Sequence, residues 1–104
     1  MTPRYQLTAP AERDLEDIFF EVKERHGRLV AERVYSNLLR TFDLLASMPE
    51  MGRHRPDLWP LPYRFWPTGP AFIAYRADVR PVRIVRIARA SRDWSPRWTV
   101  ENRP

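Results

Sequence analysis

Apolar residues in the first half of the chain recur at two different periods. Tyr5 and Leu7 alternate with Arg4, Gln6 and Thr8, which predicts a short half-buried strand. From Ala11 the spacing changes: Ala11, Leu15, Ile18, Phe19 and Val22 fall three and four apart, one face of an amphipathic helix. Thr8 is placed to cap it and Pro10 fits its first turn. Glu12, Asp14, Glu16 and Asp17 crowd the end where the helix dipole favours negative charge, and read best as a solvated face. Lys23, Arg25 and His26 occupy the last turn, and Gly27 is suited to end the helix in a left-handed conformation. Ala31, Val34, Leu38, Phe42 and Leu45 make a second apolar face, closed by Pro49 just after Met48. A linker of two or three residues forces the two helices antiparallel, so residues 9–48 form a helical hairpin.

Six prolines then fall between Pro49 and Pro70, with Gly52 and Gly69 among them, and no helix survives that density. Arg64–Trp66 and Ala71–Arg76 are predicted strands, with Pro67-Thr68-Gly69-Pro70 as the turn between them. Asp78 to Pro81 makes the next turn and Val82 to Ala90 the last strand. There Arg80, Arg83, Arg86, Arg89 and Arg92 recur every three residues, which on a helix would make a basic stripe. The β-branched Val82, Ile84, Val85 and Ile87 after Pro81 favour a strand instead. An unbroken strand would put Ile84, Arg86 and Ala88 on one face and Val85, Ile87 and Arg89 on the other. Neither face is apolar throughout, so an interior strand with a bulge is expected. The segment 95–104 has no period and is expected to fray. The predicted architecture is α+β, a single domain over 1–104: an N-terminal strand, an antiparallel helical hairpin, then a three-stranded, mostly antiparallel meander (β-α-α-β-β-β).

Charge changes the picture more than size does. The 104 residues carry a net +5, unevenly spread. Residues 1–50 hold seven basic and nine acidic groups, residues 51–104 eleven and four. A basic half of this kind suits nucleic acid or an acidic protein surface. All the cations but Lys23 are arginine, which a GC-rich coding bias could explain, although bias cannot explain the gradient. There is no cysteine, which removes disulfides, thiolate metal sites and a cysteine nucleophile. Met1 to Arg13 lacks the apolar run of a signal peptide. The longest uncharged stretch, Phe65–Tyr75, is eleven residues with two prolines and a glycine, too short and broken to span a bilayer. A cytoplasmic protein with no membrane partner is expected.

Familiar catalytic arrangements are missing. His26 and His54 are isolated, without metal-ligand spacing. No serine lies in a nucleophile elbow, and three glycines build no phosphate-cradling loop. No metal and no cofactor is expected.

Four stretches, in order, resemble one family. Tyr5-x-Leu7-Thr8-x-x-Ala11-x-x-Asp14-Leu15-x-x-Ile18 looks like the start of the RelE/ParE toxins of bacterial type II toxin–antitoxin pairs. Pro49-x-x-Gly52-Arg53-x-Arg55-Pro56-x-Leu58 resembles the segment after their second helix. Arg64, Gly69 and Ile73-x-Tyr75-Arg76 resemble the middle strands, and Ile84-Val85-Arg86-Ile87 followed by Arg92-Asp93 the last strand and exit of the ParE branch. The resemblance implies a helical hairpin against a mostly antiparallel sheet, and a cognate antitoxin whose C-terminal segment wraps the toxin. It leaves two activities open: ParE-like members poison DNA gyrase, whereas RelE-like members cut mRNA on the ribosome.

The residues lean towards the first. Nuclease members carry a basic residue entering the third strand, where this chain has Pro70-Ala71-Phe72, and end in arginine then tyrosine, where it has Ser91-Arg92-Asp93-Trp94. Arginine, with a pKa above ~12, is a poor general acid or base. One departure from the ParE branch is Arg89, where a histidine is common. The expectation is therefore a non-catalytic gyrase poison. The alternatives are a ribosome-dependent mRNA endonuclease using Arg53, His54, Arg55 and Arg64, or a basic nucleic-acid-binding module. Candidate target- or antitoxin-binding residues are Arg83, Arg86, Arg89 and Arg92, with Trp94 and Trp98 as anchors. Phe20, opposite the inner face of the first helix, joins them as part of an antitoxin groove or self-contact. For each there is a plainer role: solvating the sheet for the arginines, packing back onto it for the tryptophans. Trp59, Tyr63, Phe65, Trp66 and Phe72 are expected to serve the core and anchor the loop. The expected partners are the antitoxin and DNA gyrase, with direct nucleic-acid contact weak.

Overall fold

The computed structural model describes residues 4–89 and 100–104. Strand β1 (Tyr5–Leu7) is followed by helices α1 (Ala9–His26) and α2 (Arg28–Ser47) and a single 3₁₀ turn at Pro49–Met51. Strands β2 (Arg53–His54), β3 (Tyr63–Thr68), β4 (Ala71–Arg76) and β5 (Val82–Arg89) complete one sheet, in the order β1-β5-β4-β3-β2. The β3-β4-β5 meander is antiparallel, and β1 joins β5 in parallel. The two-residue β2 is an addition to the predicted layout.

Thr8 ties the first strand, the first helix and the last strand together. Its Oγ1 accepts from the Ala11 N–H at 3.2 Å, capping α1, and donates to the Val85 carbonyl at 2.8 Å. Its own N–H donates to the Ile84 carbonyl at 3.0 Å. The hairpin linker is shorter than expected: Gly27 alone serves both helices. It has φ +88° and ψ 170°, an extended mirror-image conformation open essentially to glycine rather than the left-handed helical one anticipated. Its N–H donates to the Lys23 carbonyl at 2.9 Å, and its carbonyl accepts from Ala31 N at 3.1 Å. One residue therefore reverses the chain.

The expected bulge lies at Val85. Ala74 pairs with Arg86 and Tyr75 with Ile84, so Val85 is the extra residue and the strand's inward phase shifts there. Val82, Ile84 and Ile87 consequently all enter the main core, despite their mixed parity. That core joins Leu15 and Ile18 of α1 and Leu38, Phe42 and Leu45 of α2 to Ile73 and Tyr75 of β4. The predicted four-residue turn shrinks to Gly69-Pro70, because Pro67 and Thr68 continue β3 opposite Phe72 and Ala71. Pro67 is tolerated because β2 pairs β3 only at Arg64 and Phe65, leaving β3 as an edge beyond them.

The other face of the sheet has its own small core. Trp59, fully buried, packs with Phe65 and Ala74, and Leu58, Tyr63 and Val85 close around it. The proline-rich loop is thus held down by an indole, a contact worth about 3–5 kcal/mol on the scale of large-to-small substitutions. In the C-terminal segment, Asn102 accepts from Arg86, and Arg103 donates to the Leu58 carbonyl at 3.2 Å.

Candidate functional site

The arginines of β5 are not equivalent. Arg83 is exposed, across from Arg76, whose guanidinium lies 5.9 Å from the centroid of the Tyr63 ring. Arg86 turns to α1: its Nε donates to Asp14 Oδ2 at 2.7 Å and its Nη2 to Oδ1 at 3.0 Å, while Oδ2 also accepts from Ile87 N at 3.0 Å. Arg89 pairs with Glu21 of α1 at 2.8 Å, and Glu21 also stands 3.8 Å from Arg25. The arrangement has a geometric cause. β1 pairs β5 only at Val82–Ile84, and α1 then runs along the strand's unpaired edge, where Thr8 and Asp14 supply the partners that a neighbouring strand would. Asp14 is therefore not on a solvated face, its side chain being only 15% exposed. Its partner lies 72 positions away, and no local pattern signals it. Arg92, Trp94 and Trp98 lie outside the described residues.

The proposed nuclease residues come together at the opposite edge of the sheet. His54 and Arg64 are cross-strand partners, and Arg53 pairs with Phe65. Nearly every one of these side chains is already engaged. His54 Nδ1 lies 3.2 Å from the Tyr63 carbonyl, an oxygen that can only accept, so the protonated Nδ1 tautomer donates there. Arg64 Nη1 donates to the carbonyls of Gly52 at 2.8 Å and Glu50 at 3.3 Å. Arg55 forks onto Asp57 at 3.0 and 2.7 Å, which holds that carboxyl below its ordinary range. Arg53 remains exposed. A cleft of about 360 Å³ passes His54 and Arg64 and includes Glu50, which sequence reasoning did not single out.

Gly52 explains the geometry of this edge. The buried Tyr75 hydroxyl donates to the Pro49 carbonyl at 2.7 Å and accepts from Gly52 N at 2.8 Å, stapling the 3₁₀ turn to β4. A Cβ at Gly52 would meet that hydroxyl and stand 2.7 Å from the Tyr75 ring and 2.9 Å from the Phe65 carbonyl oxygen, so only glycine fits. Burial pushes the Tyr75 phenol up, partly offset by the Gly52 hydrogen bond and the nearby Arg64.

Grooves flank the helical hairpin, and two of them bear on docking. One, of about 320 Å³, runs between α2 and the β3–β4 turn past Val34, Leu38, Thr41, Leu44, Gly69 and Pro70. It was not foreseen; the only signal was Leu44, an apolar residue off the inner stripe, here 44% exposed. The other lies at Phe19, Phe20 and Tyr35. Phe20 is exposed, as its position on the helix wheel predicts. Among the described residues no three His, Asp or Glu side chains gather as metal ligands, and no helix is long and apolar enough to cross a membrane.

A helical hairpin against a mostly antiparallel sheet has counterparts among known proteins. A family model described as the ParE toxin of type II toxin–antitoxin systems, parDE, matches residues 5–94. The chain belongs to the ParE toxin family. Toxin ParE3 of Caulobacter vibrioides is 34% identical over 80 residues, covering 77% of this chain and 79% of that protein. A solved structure described as the chromosomal ParDE TA system from P. aeruginosa superposes with a TM-score of 0.67 at 22% identity, covering 82% of this chain and 92% of that one. This last likeness is one of fold, and it bears out the α+β layout. The matched residues run from β1 through β5.

Proposed function

We propose that this ParE-family toxin acts in the cytoplasm by docking on DNA gyrase, breaks no bond itself, and is held inactive by a cognate antitoxin. The observation that carries the reading is the ParE match over residues 5–94. The side chains support it. Arg64, Arg55 and His54 each have a partner within the fold, and arginine with a pKa above ~12 moves protons poorly. On β5, Arg86 and Arg89 serve the α1 carboxylates, so Arg83 is the exposed cation left to meet a target. Arg92, Trp94 and Trp98 remain candidate docking residues in the proposal. The antitoxin reading draws on the P. aeruginosa structure, which is of a ParDE toxin–antitoxin system. The apolar groove beside Leu44 suits a leucine-bearing segment of such a partner.

The test is a supercoiling assay with purified gyrase and purified toxin. Inhibition with accumulation of cleaved DNA is expected, and Arg83→Glu should weaken it by about ten-fold or more, the loss of one hot-spot contact. Full supercoiling at excess toxin would remove gyrase as the target. A second reading, mRNA cleavage on ribosomes, is favoured by one observation: His54, Arg64 and Glu50 share a single cleft. It predicts cut message in a translation extract, abolished by His54→Ala; intact message discards it.

A further inference from the structure

The outer side of the helical hairpin carries a feature that the docking of β5 does not use. Phe20 stands 63% exposed on α1. With Phe19 and Tyr35 it lines a cleft of about 570 Å³, and the remaining lining is two carboxylate side chains, Glu16 and Asp17. Phe19 and Tyr35 meet edge to face, centroids 5.9 Å apart, which fixes two walls of the cleft. On a helix, Glu16 and Asp17 lie four and three residues before Phe20 and Glu24 four after it, so three carboxylates neighbour the ring against the single cation Lys23. All three are exposed, and among the described residues no hydrogen bond or ion pair engages them. An aromatic cleft with a negative rim thus stands on a protein of net charge +5.

That combination selects its occupant. Aromatic faces and carboxylates both attract cations, and an exposed ring also takes apolar area from a partner. Nucleic acid is repelled by the rim. A second copy of this chain related by a two-fold axis would set Glu16 and Asp17 against their own images, like charge on like. We infer that the cleft docks a cationic amphipathic segment of another protein. Its apolar side chain lies on Phe20 and Tyr35, and its lysines or arginines reach Glu16, Asp17 and Glu24. This inference does not rest on gyrase being the target, and the cleft is separate from the groove beside Leu44.

The probe is a fluorescein-labelled, fourteen-residue helical peptide with leucines on one face and arginines flanking them. Its twin carries glutamate in place of arginine. Saturable binding of the arginine peptide is expected, with amide shifts in NMR spectra centred on residues 16–24 and on Tyr35. The acidic twin should not bind there, although the protein's net charge would favour it. Phe20→Ala, and separately the triple variant Glu16→Gln, Asp17→Asn, Glu24→Gln, should each weaken binding by about ten-fold or more. Neither change touches the core, so both variants should melt as the parent does. Absence of saturable binding, equal binding by both variants, or shifts confined to the Gly69–Pro70 groove would overturn the inference.

Discussion

Removing the Asp14 carboxylate tests whether α1 substitutes for a neighbouring strand on the unpaired edge of β5. In Asp14→Ala, Arg86 loses a bidentate partner and the Ile87 N–H loses its acceptor. Exposed ion pairs are worth about 0–1 kcal/mol, and breaking fully buried ones costs about 3–5. With side chains 21% and 15% exposed, this pair lies between the limits. About 2 kcal/mol for the lost bidentate pair, with Asn102 still accepting from Arg86, and about 1 for the orphaned amide give a loss near 3 kcal/mol. For a domain of this size that lowers the melting temperature by roughly 10–20 °C. Asp14→Asn keeps an acceptor for Ile87 and should lose about half as much. The assay is thermal and urea unfolding followed by circular dichroism at neutral pH, on Asp14→Ala, Arg86→Met and the double variant. The double should lose clearly less than the sum of the singles, with a coupling of about 1.5 kcal/mol. Melting of Asp14→Ala within about 3 °C of the parent, or additivity within about 0.5 kcal/mol, would refute the clamp.

Two further predictions concern the staple at the other edge. Gly52→Ala forces a methyl group into the Tyr75 hydroxyl and ring, so it should destabilise by about 2–4 kcal/mol, read as a lower urea midpoint; an unchanged midpoint would show that the turn yields freely. Burial raises the Tyr75 phenol above its ordinary 10.0, so the folded chain keeps a proton that the unfolded chain releases. Stability is then complete below that value and falls as pH climbs past it, by up to about 1.4 kcal/mol per pH unit. Tyr75→Phe, though less stable at neutral pH, should show a shallower decline between about pH 9 and 11.5 in urea midpoints, and an unaltered slope would locate the alkaline sensitivity elsewhere. Tyr5, also raised by burial and by Asp43, accounts for part of the slope that remains.

The elements were legible wherever a local rule suffices. Thr8 caps α1, Gly27 ends it and Pro49 closes α2 because each acts through its own backbone and its near neighbours. The 3.6 and 2 periodicities set the inward faces of the hairpin and of β1, and β-branching outweighed the three-residue arginine repeat in β5. The four ordered stretches resembling ParE toxins carried the family, which the match over residues 5–94 bears out. What remained hidden depends on meetings between distant residues. Asp14 reads as a dipole-stabilising surface acid until β1 stops short and α1 lies along the open edge of β5. Gly52 reads as a turn residue until the Tyr75 ring occupies the space of its Cβ. A basic repeat cannot announce which of its members are neutralised, because their partners arrive from the other end of the chain. Local sequence therefore determined both helices and β1, β3, β4 and β5 in their order, whereas β2 forms only where Arg53 and His54 meet β3. Tertiary packing alone decided that Arg86 and Arg89 are tied to the fold and that Arg83 remains exposed.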